Sequence, residues 1–300
     1  MKILITGATG FVGSNLTTYL EKENNDLQMA SVRYFPEQKF DFTEDAIIHL
    51  AGKAHDLKKV SQPLDYYQSN FELTKQLFDS FLNSDTEVFI FMSSVKACAD
   101  KVEGVLIESN NSDPKTHYGI SKLQAEQYIL SKTLPVEKRV YIIRPCMIHG
   151  PGNKGNLNLL YQIVNKGLPW PLGAFNNQRS FLSIENLCFT INELLQNKDK
   201  PNGIYQVADD ESISTNELIE IIGASLGKKS KILKIPSWII SKTANLGDYL
   251  HLPLNSERLE KLTENYVVSN EKIKKALKTE LPISTKQGLS ITIESFTRNK

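Results

Sequence analysis

Ile3-Leu4-Ile5-Thr6-Gly7-Ala8-Thr9-Gly10-Phe11-Val12-Gly13 stands near the start of the chain, and its reading decides the architecture. Three apolar residues make a short buried strand. Phe11, Val12, Leu16, Tyr19 and Leu20 then recur at the spacing of one helix face. Between strand and helix, Gly7 allows a tight turn, Gly10 lets the backbone approach a pyrophosphate, and Gly13 lets the helix pack closely on the strand. The amides at the helix start, those of Phe11 and Val12 among them, face phosphate oxygens with the helix dipole behind them. Glycines alone say little. Glycines set between a strand and a helix in this order mark the first unit of a dinucleotide-binding fold.

The rest of the composition agrees with an α/β protein and narrows its class. The chain has 300 residues, 40% of them hydrophobic, with 35 basic and 34 acidic side chains, enough for one large core or two interlocked ones. That balance gives no electrostatic footprint for nucleic acid. No apolar run approaches the ~18 residues of a membrane span, and no secretory leader precedes Ile3, so a cytoplasmic protein is expected. Cys98, Cys146 and Cys188 are odd in number and far apart. They fit small buried residues in a reducing compartment, and no metal site is expected.

The second strand is predicted over Gln28 to Val32, ending at Arg33. At this tip an acid accepts from a ribose 2′-hydroxyl, whereas a base accommodates a 2′-phosphate. Ser31-Val32-Arg33-Tyr34 contains no carboxylate, which favours NADP(H), with NAD(H) as the alternative. Asp41 and Phe42 are candidates to bound the adenine. Ala46-Ile47-Ile48-His49-Leu50-Ala51-Gly52 reads as another buried strand whose small terminal residues leave room for a cofactor across the sheet. His49, inside an apolar strand, is read as a packed core histidine; His55, just past it, is a weaker candidate for a substrate contact.

Tyr66 to Leu82 reads as a long helix, and Val88 to Met92 as a strand ending in Ser93-Ser94. The chemistry is centred on Thr116-His117-Tyr118-Gly119-Ile120-Ser121-Lys122, which leads into a helical pattern. Residues four apart share a helix face, so Lys122 is expected beside Tyr118, its charge favouring phenolate. A free tyrosine titrates near ~10 and needs such help to exchange a proton at neutral pH. Ser94, at the carboxyl edge of its strand, is expected to reach the same crevice; capping the following turn is its alternative role.

Thr6-Gly7-x-x-Gly10-x-x-Gly13, His49-Leu50-Ala51-Gly52, Ser93-Ser94, Tyr118-x-x-x-Lys122 and Arg144-Pro145-x-x-x-x-Gly150-Pro151-Gly152 occur in the order and spacing of one family. Together they resemble the extended short-chain dehydrogenase/reductases, in the nucleotide-sugar epimerase/dehydratase branch, over essentially the whole chain. The resemblance implies a doubly wound parallel sheet, or Rossmann fold, over 1–154 with returning segments near 183–210. It also implies a smaller α/β domain, mainly 155–300, that closes over a UDP-linked sugar. Tyr118 is implied as acid/base, Lys122 as the partner of the nicotinamide ribose, Ser94 as the group that orients the reacting oxygen, and Arg144-Pro145 as running alongside the nicotinamide. Asn156 and Leu157 are candidate sugar-nucleotide contacts. Pro171, in Trp170-Pro171-Leu172-Gly173, belongs to a segment that resembles the one packing on uracil. Arg179 resembles the family's pyrophosphate clamp, and Arg258 is a second candidate clamp in poorer surroundings.

The departures are informative. Dehydrating members resemble Thr-Asp-Glu where this chain has Ser94-Val95-Lys96, and neither Val95 nor Lys96 is the carboxyl group that water loss requires. Two reactions at C4 remain: reduction of a UDP-4-keto-6-deoxyhexosamine, which the overall likeness and Arg33 favour, and 4-epimerisation with retained NAD. A catalytically silent NADP-sensing regulator is a third, remote alternative, because the tyrosine and lysine are both present. A homodimer stays open. Thr215 is expected to cap the helix running to Leu226, and Trp238 to pack within the smaller domain.

Overall fold

The computed structural model describes residues 1–53, 62–153, 156–250 and 255–298; His55 lies outside them. In chain order the first half contains β1 (Lys2–Thr6), α1 (Phe11–Lys22), β2 (Asp26–Ala30), β3 (Ala46–His49), α2 (Pro63–Tyr66), a π-helical segment (Tyr67–Glu72), α3 (Leu73–Leu82), β4 (Val88–Met92), β5 (Val105–Leu106) and α4 (His117–Leu130). The second half contains β6 (Arg139–Pro145), β7 (Met147–His149), α5 (Asn156–Asn165), β8 (Phe181–Ser183), α6 (Ile184–Gln196) and β9 (Gly203–Val207). It ends with α7 (Thr215–Ser225), α8 (Ser237–Leu250), α9 (Ser256–Thr263), β10 (Val267–Val268), α10 (Glu271–Leu277) and α11 (Thr285–Arg298).

Six strands form one parallel sheet in the order β2-β1-β3-β4-β6-β9. Every residue of β3, β4 and β6 is buried, as a parallel strand covered by helices on both faces requires. β2, at the edge, stays exposed and ends at Ala30, two residues before the expected Val32. Ser31 to Arg33 therefore lie beyond the ladder, where no partner strand holds them. The chain runs from β1 outward to β2 and then returns to place β3 on the other side of β1. This reversal makes the carboxyl ends of β1 and β3 the switch point where such sheets receive ligands.

Two apolar layers flank the sheet. Leu16 and Leu20 of α1 join Leu187, Ile191 and Leu194 of α6 on one face, while Leu73, Leu77, Phe78 and Phe81 join Ala125 and Ile129 of α4 on the other. α6 thus packs on α1. A third cluster is built from α5, α7, α8 and α11 around Trp170, Leu172 and Phe181. The helix over residues 63–82 is continuous but changes to π geometry at Tyr67–Glu72.

Two local expectations are corrected. Ser214, not Thr215, is the N-cap of α7: its hydroxyl accepts from the Glu217 amide while Glu217 reaches back to the Ser214 amide. Trp238 is turned to solvent, with 61% of its surface exposed. All three cysteines are free and buried.

Candidate active site

The glycine turn after β1 is shaped by contact as well as by conformation. Gly7 has φ +72, and a Cβ there would lie 2.7 Å from the Ala51 amide nitrogen. A Cβ on Gly13 would lie 2.3 Å from the Gly7 carbonyl oxygen, so the close crossing of α1 over the turn depends on its absence. α1 has no side-chain cap on Gly10 and no acid in its first turn. Its leading amides, including Phe11 and Val12, are free of competing carboxylates, and the residues present fit the phosphates of a dinucleotide. Leu50, Ala51 and Gly52 follow β3 beside this turn.

Gly52 lies where three segments meet. A Cβ on it would fall 2.7 Å from Asn70 Oδ1 and 3.2 Å from Lys122 Nζ. Asn70, fully buried in the π-helical segment, accepts from the Lys53 amide at 2.7 Å. It also donates to the Lys53 carbonyl and to Ser121 Oγ, each at 3.0 Å. One amide side chain therefore ties the loop after β3 to the first turn of α4.

α4 begins where Thr116 Oγ1 accepts from the Gly119 amide at 3.2 Å. The helix presents Tyr118, Ser121, Lys122 and Glu126 toward the sheet end. Lys122 Nζ donates to the Met92 carbonyl at 2.8 Å and lies over the Phe91 ring. Burial pulls its pKa down to about 8, against the opposing charge of Glu126. Ser94 does both things expected of it. Its hydroxyl accepts from the Lys96 amide at 3.2 Å, capping a short 3-10 turn, and its side chain lies close enough to the Tyr118 phenol to act on its titration.

The expectation that Lys122 lowers the Tyr118 pKa is not met in this state. Burial raises the phenol pKa, Ser94 partly offsets the rise, and Glu126 adds to it. The ammonium is directed at Met92 instead. Tyr118 is therefore held protonated at neutral pH, poised to give a proton.

Behind this group lies a buried network that sequence reasoning missed. Glu126, one helical turn past Lys122, accepts from Arg144 Nε at 2.9 Å and Nη2 at 2.5 Å, and from Ser93 Oγ. Its residues come from α4, β6 and the end of β4. The Arg144 side chain belongs to this ion pair and is not free to face a cofactor, while Pro145 is the buried last residue of β6, paired with Val207. His49 is a packed histidine, as read from its strand, between Thr6 Oγ1 at 2.7 Å and Thr74 Oγ1 at 2.9 Å.

The remaining candidates are spread more widely. Arg33 is exposed just past the carboxyl end of β2. Asp41 and Phe42 are not brought there: the Phe40 amide bonds Ser80 near the end of α3, and Thr43 and Asp45 bond Lys2 at the start of β1. The segment therefore lies at the amino end of the sheet, with Asp41 exposed and Phe42 buried and stacked on Phe40. Asn156 starts α5, and Leu157 packs in the third apolar cluster, leaving its backbone for any ligand. Pro171 lies half-buried between buried Trp170 and Leu172. Arg179 donates to the Lys261 carbonyl at 2.5 Å and pairs with Glu264 at 3.4 Å. Arg258 stands exposed on α9, its amide donating to Asn255 Oδ1 at 2.9 Å. Among the described residues no group of side chains could hold a metal ion.

A six-stranded parallel Rossmann sheet with an uncapped glycine turn and a Ser-Tyr-Lys constellation at its carboxyl edge defines an extended short-chain dehydrogenase/reductase. Residues 3–208 match the model of the NAD dependent epimerase/dehydratase family, and the chain belongs to that family. It is 29% identical to the UDP-glucose 4-epimerase of Vibrio cholerae, covering 98% of this chain and 95% of that protein. It is also 29% identical to an N-acetyl-alpha-D-glucosaminyl-diphospho-ditrans,octacis-undecaprenol 4-epimerase of Escherichia coli O157:H7, covering 98% and 91%. The solved UDP-N-acetylglucosamine 4-epimerase of Bacillus cereus shares the fold with a TM-score of 0.74 at 17% identity, over 100% of both chains. The protein is therefore an enzyme of the nucleotide-sugar epimerase/reductase kind that uses a nicotinamide cofactor. Among the described residues no helix is long and apolar enough to cross a membrane.

Proposed function

We propose that the protein reduces the C4 ketone of a UDP-4-keto-6-deoxyhexosamine with NADPH, for surface-polysaccharide synthesis. The observation that carries C4 redox chemistry is the meeting of Ser94, Tyr118 and Lys122 where β4 ends, beside the glycine turn. A reduced nicotinamide, when bound, supplies hydride. Ser94 orients the sugar oxygen and Tyr118 gives it a proton as negative charge develops there. Lys122 is placed to hold ribose hydroxyls and to compensate the phenolate that remains. Gly52 leaves the space that Lys122 and Asn70 occupy.

One feature of the sequence favours reduction. The segment after β2 carries Arg33 and no carboxylate, which suits a 2′-phosphate and hence a cofactor exchanged with the cellular NADPH pool. Arg179 is the proposed pyrophosphate clamp, exchanging Glu264 for the diphosphate, with Pro171 and the start of α5 along the nucleotide. The second reading, a 4-epimerase with tightly held NAD, is favoured by the near full-length likeness to the Vibrio cholerae epimerase.

One preparation separates them. Purified protein is denatured and its supernatant examined for nucleotide, and native protein is given NADPH and a UDP-4-keto-6-deoxyhexosamine. An empty supernatant with NADPH oxidised only in the presence of the keto sugar supports the reductase. Stoichiometric NAD in the supernatant and no NADPH oxidation supports the epimerase.

A further inference from the structure

The outward face of α8 is apolar and aromatic where an ordinary surface helix is polar. Ile240, Ala244 and Gly247 form its inward stripe and are buried. Opposite them stand Trp238, Lys242, Leu246 and Tyr249, at the i, i+4, i+8 and i+11 positions of one stripe. Trp238 is 61% exposed, Leu246 53% and Tyr249 83%, flanked by Leu250 at 53%. An aromatic stripe of this kind is uncommon on a protein surface that meets only water.

The segment leading into this helix supplies charge of one sign. Residues 221–247 contain Lys228, Lys229, Lys231, Lys234 and Lys242 and no Asp or Glu, in a chain whose overall formal charge is +1. All five lysines are exposed. Lys228 is held by the carbonyl oxygens of Asn165, and Lys242 lies over the Trp238 ring at 5.4 Å. Among the described residues, none of the five makes an ion pair. The one acid of α8, Asp248, is engaged by the amide and hydroxyl of Ser256. On neighbouring α9, Glu257 and Glu260 are paired with Lys261 and Lys101. Just ahead of α8, Ile232 packs against the third apolar cluster, while Lys231 and Leu233 are exposed on either side of it.

We propose that α8 and the Lys228–Lys234 segment form a docking face for an anionic membrane surface. Trp and Tyr rings favour the headgroup region, leucines bury among the upper acyl carbons, and lysines reach the phosphates while their stems lie along apolar surface. Charge selects an anionic lipid over a zwitterionic one. A nucleic acid gives no reason for the leucines, and a purely electrostatic partner gives none for Trp238 and Tyr249. The face shares no residue with the Ser94, Tyr118 and Lys122 cluster, and its test reads membrane binding rather than turnover, so the two can fail separately.

The chain has two tryptophans, and only Trp238 is exposed, which gives a direct spectroscopic readout. The full protein is mixed with vesicles of equal parts phosphatidylglycerol and phosphatidylethanolamine, and in parallel with phosphatidylcholine vesicles. Emission and sedimentation are followed. The expected result is a blue shift and co-sedimentation with the anionic vesicles only, weakened by added salt. Lys229→Glu/Lys231→Glu/Lys234→Glu should weaken binding on the order of a hundredfold, and Leu246→Ser/Tyr249→Ser should abolish the blue shift while the protein stays folded by circular dichroism. No shift with anionic vesicles overturns the proposal, as does binding that the lysine variant leaves unchanged. A wild-type dimer that Leu246→Ser/Tyr249→Ser converts to a monomer also overturns it, because a second copy would then cover the face.

Discussion

Glu126 and Arg144 meet through two parallel contacts, Nε to Oε1 at 2.9 Å and Nη2 to Oε2 at 2.5 Å, with side chains 1% and 3% exposed. The pair joins the helix that carries Tyr118 and Lys122 to the strand beside the crevice. Removing one partner leaves the other charged and buried, which costs about 3–5 kcal/mol. Glu126→Ala and Arg144→Ala should each lower unfolding stability by that amount in urea titrations. The double variant should lose less than the sum, since each single change already breaks the same contact.

Gly10 and Gly13 should part company under the same substitution. A Cβ at Gly13 meets the backbone of Gly7 and Ala8 at 2.3 to 2.7 Å, so Gly13→Ala should destabilise the fold by about 1–3 kcal/mol or more. At Gly10 the nearest atom is the Gly7 carbonyl oxygen at 3.3 Å, and Gly10→Ala should cost no more than ~1 kcal/mol. Its methyl group enters the space proposed for pyrophosphate, so cofactor affinity should fall on the order of tenfold or more. Thermal melts and calorimetric titration with NADPH distinguish the two effects.

His49 makes the fold sensitive to acid. Burial pushes its pKa down to about 3, below the ordinary value of 6.5, with the Lys122 charge acting in the same direction. The unfolded chain therefore takes up the proton first as pH falls. Stability is fully present above about 6.5 and drains away toward about 3, at most ~1.4 kcal/mol per pH unit from this residue. His49→Asn should be less stable at pH 7, through weakened contacts with Thr6 and Thr74, and should show a shallower decline between pH 6.5 and 4.

Lys122 gives a dependence of the same sign at high pH. Its folded pKa of about 8 lies below the unfolded value near 10.5, so the folded protein sheds the proton first. Stability should rise as pH increases from about 8 to 10.5, and Lys122→Met should remove that rise. The same variant should lose turnover on the order of 10²–10⁴-fold, as should Tyr118→Phe. NADPH binding should survive in Tyr118→Phe and weaken in Lys122→Met, the difference expected if the lysine also holds ribose.

What could be read from the chain was local in origin. Gly7, Gly10 and Gly13 announce their turn because strand, glycines and helix are contiguous, and Tyr118 and Lys122 share a face because four residues nearly complete a helical turn. Ser94 was legible from its place at a strand end. The Asn70 and Glu126 partnerships were not, since Ser121 and Arg144 are 51 and 18 residues away and meet them only through the sheet. A buried amide or carboxylate within an otherwise apolar helix face was the available signal. Helical period gave α8 two faces without saying which one the rest of the protein covers. The Tyr118 pKa was misread because burial outweighs a lysine that points elsewhere, and Ser214 was passed over because its neighbour Thr215 carries the same capping group.

The central claim is hydride transfer to sugar C4 with proton donation by Tyr118. It is tested most directly with NADPH deuterated at the transferable C4 position and a UDP-4-keto-6-deoxyhexosamine, the product being examined by proton and deuterium NMR. The account predicts one deuterium at sugar C4 with wild-type protein and almost none with Tyr118→Phe. Wild-type protein that binds both ligands yet leaves the deuterium on the nucleotide, or Tyr118→Phe that transfers it at the wild-type rate, contradicts it.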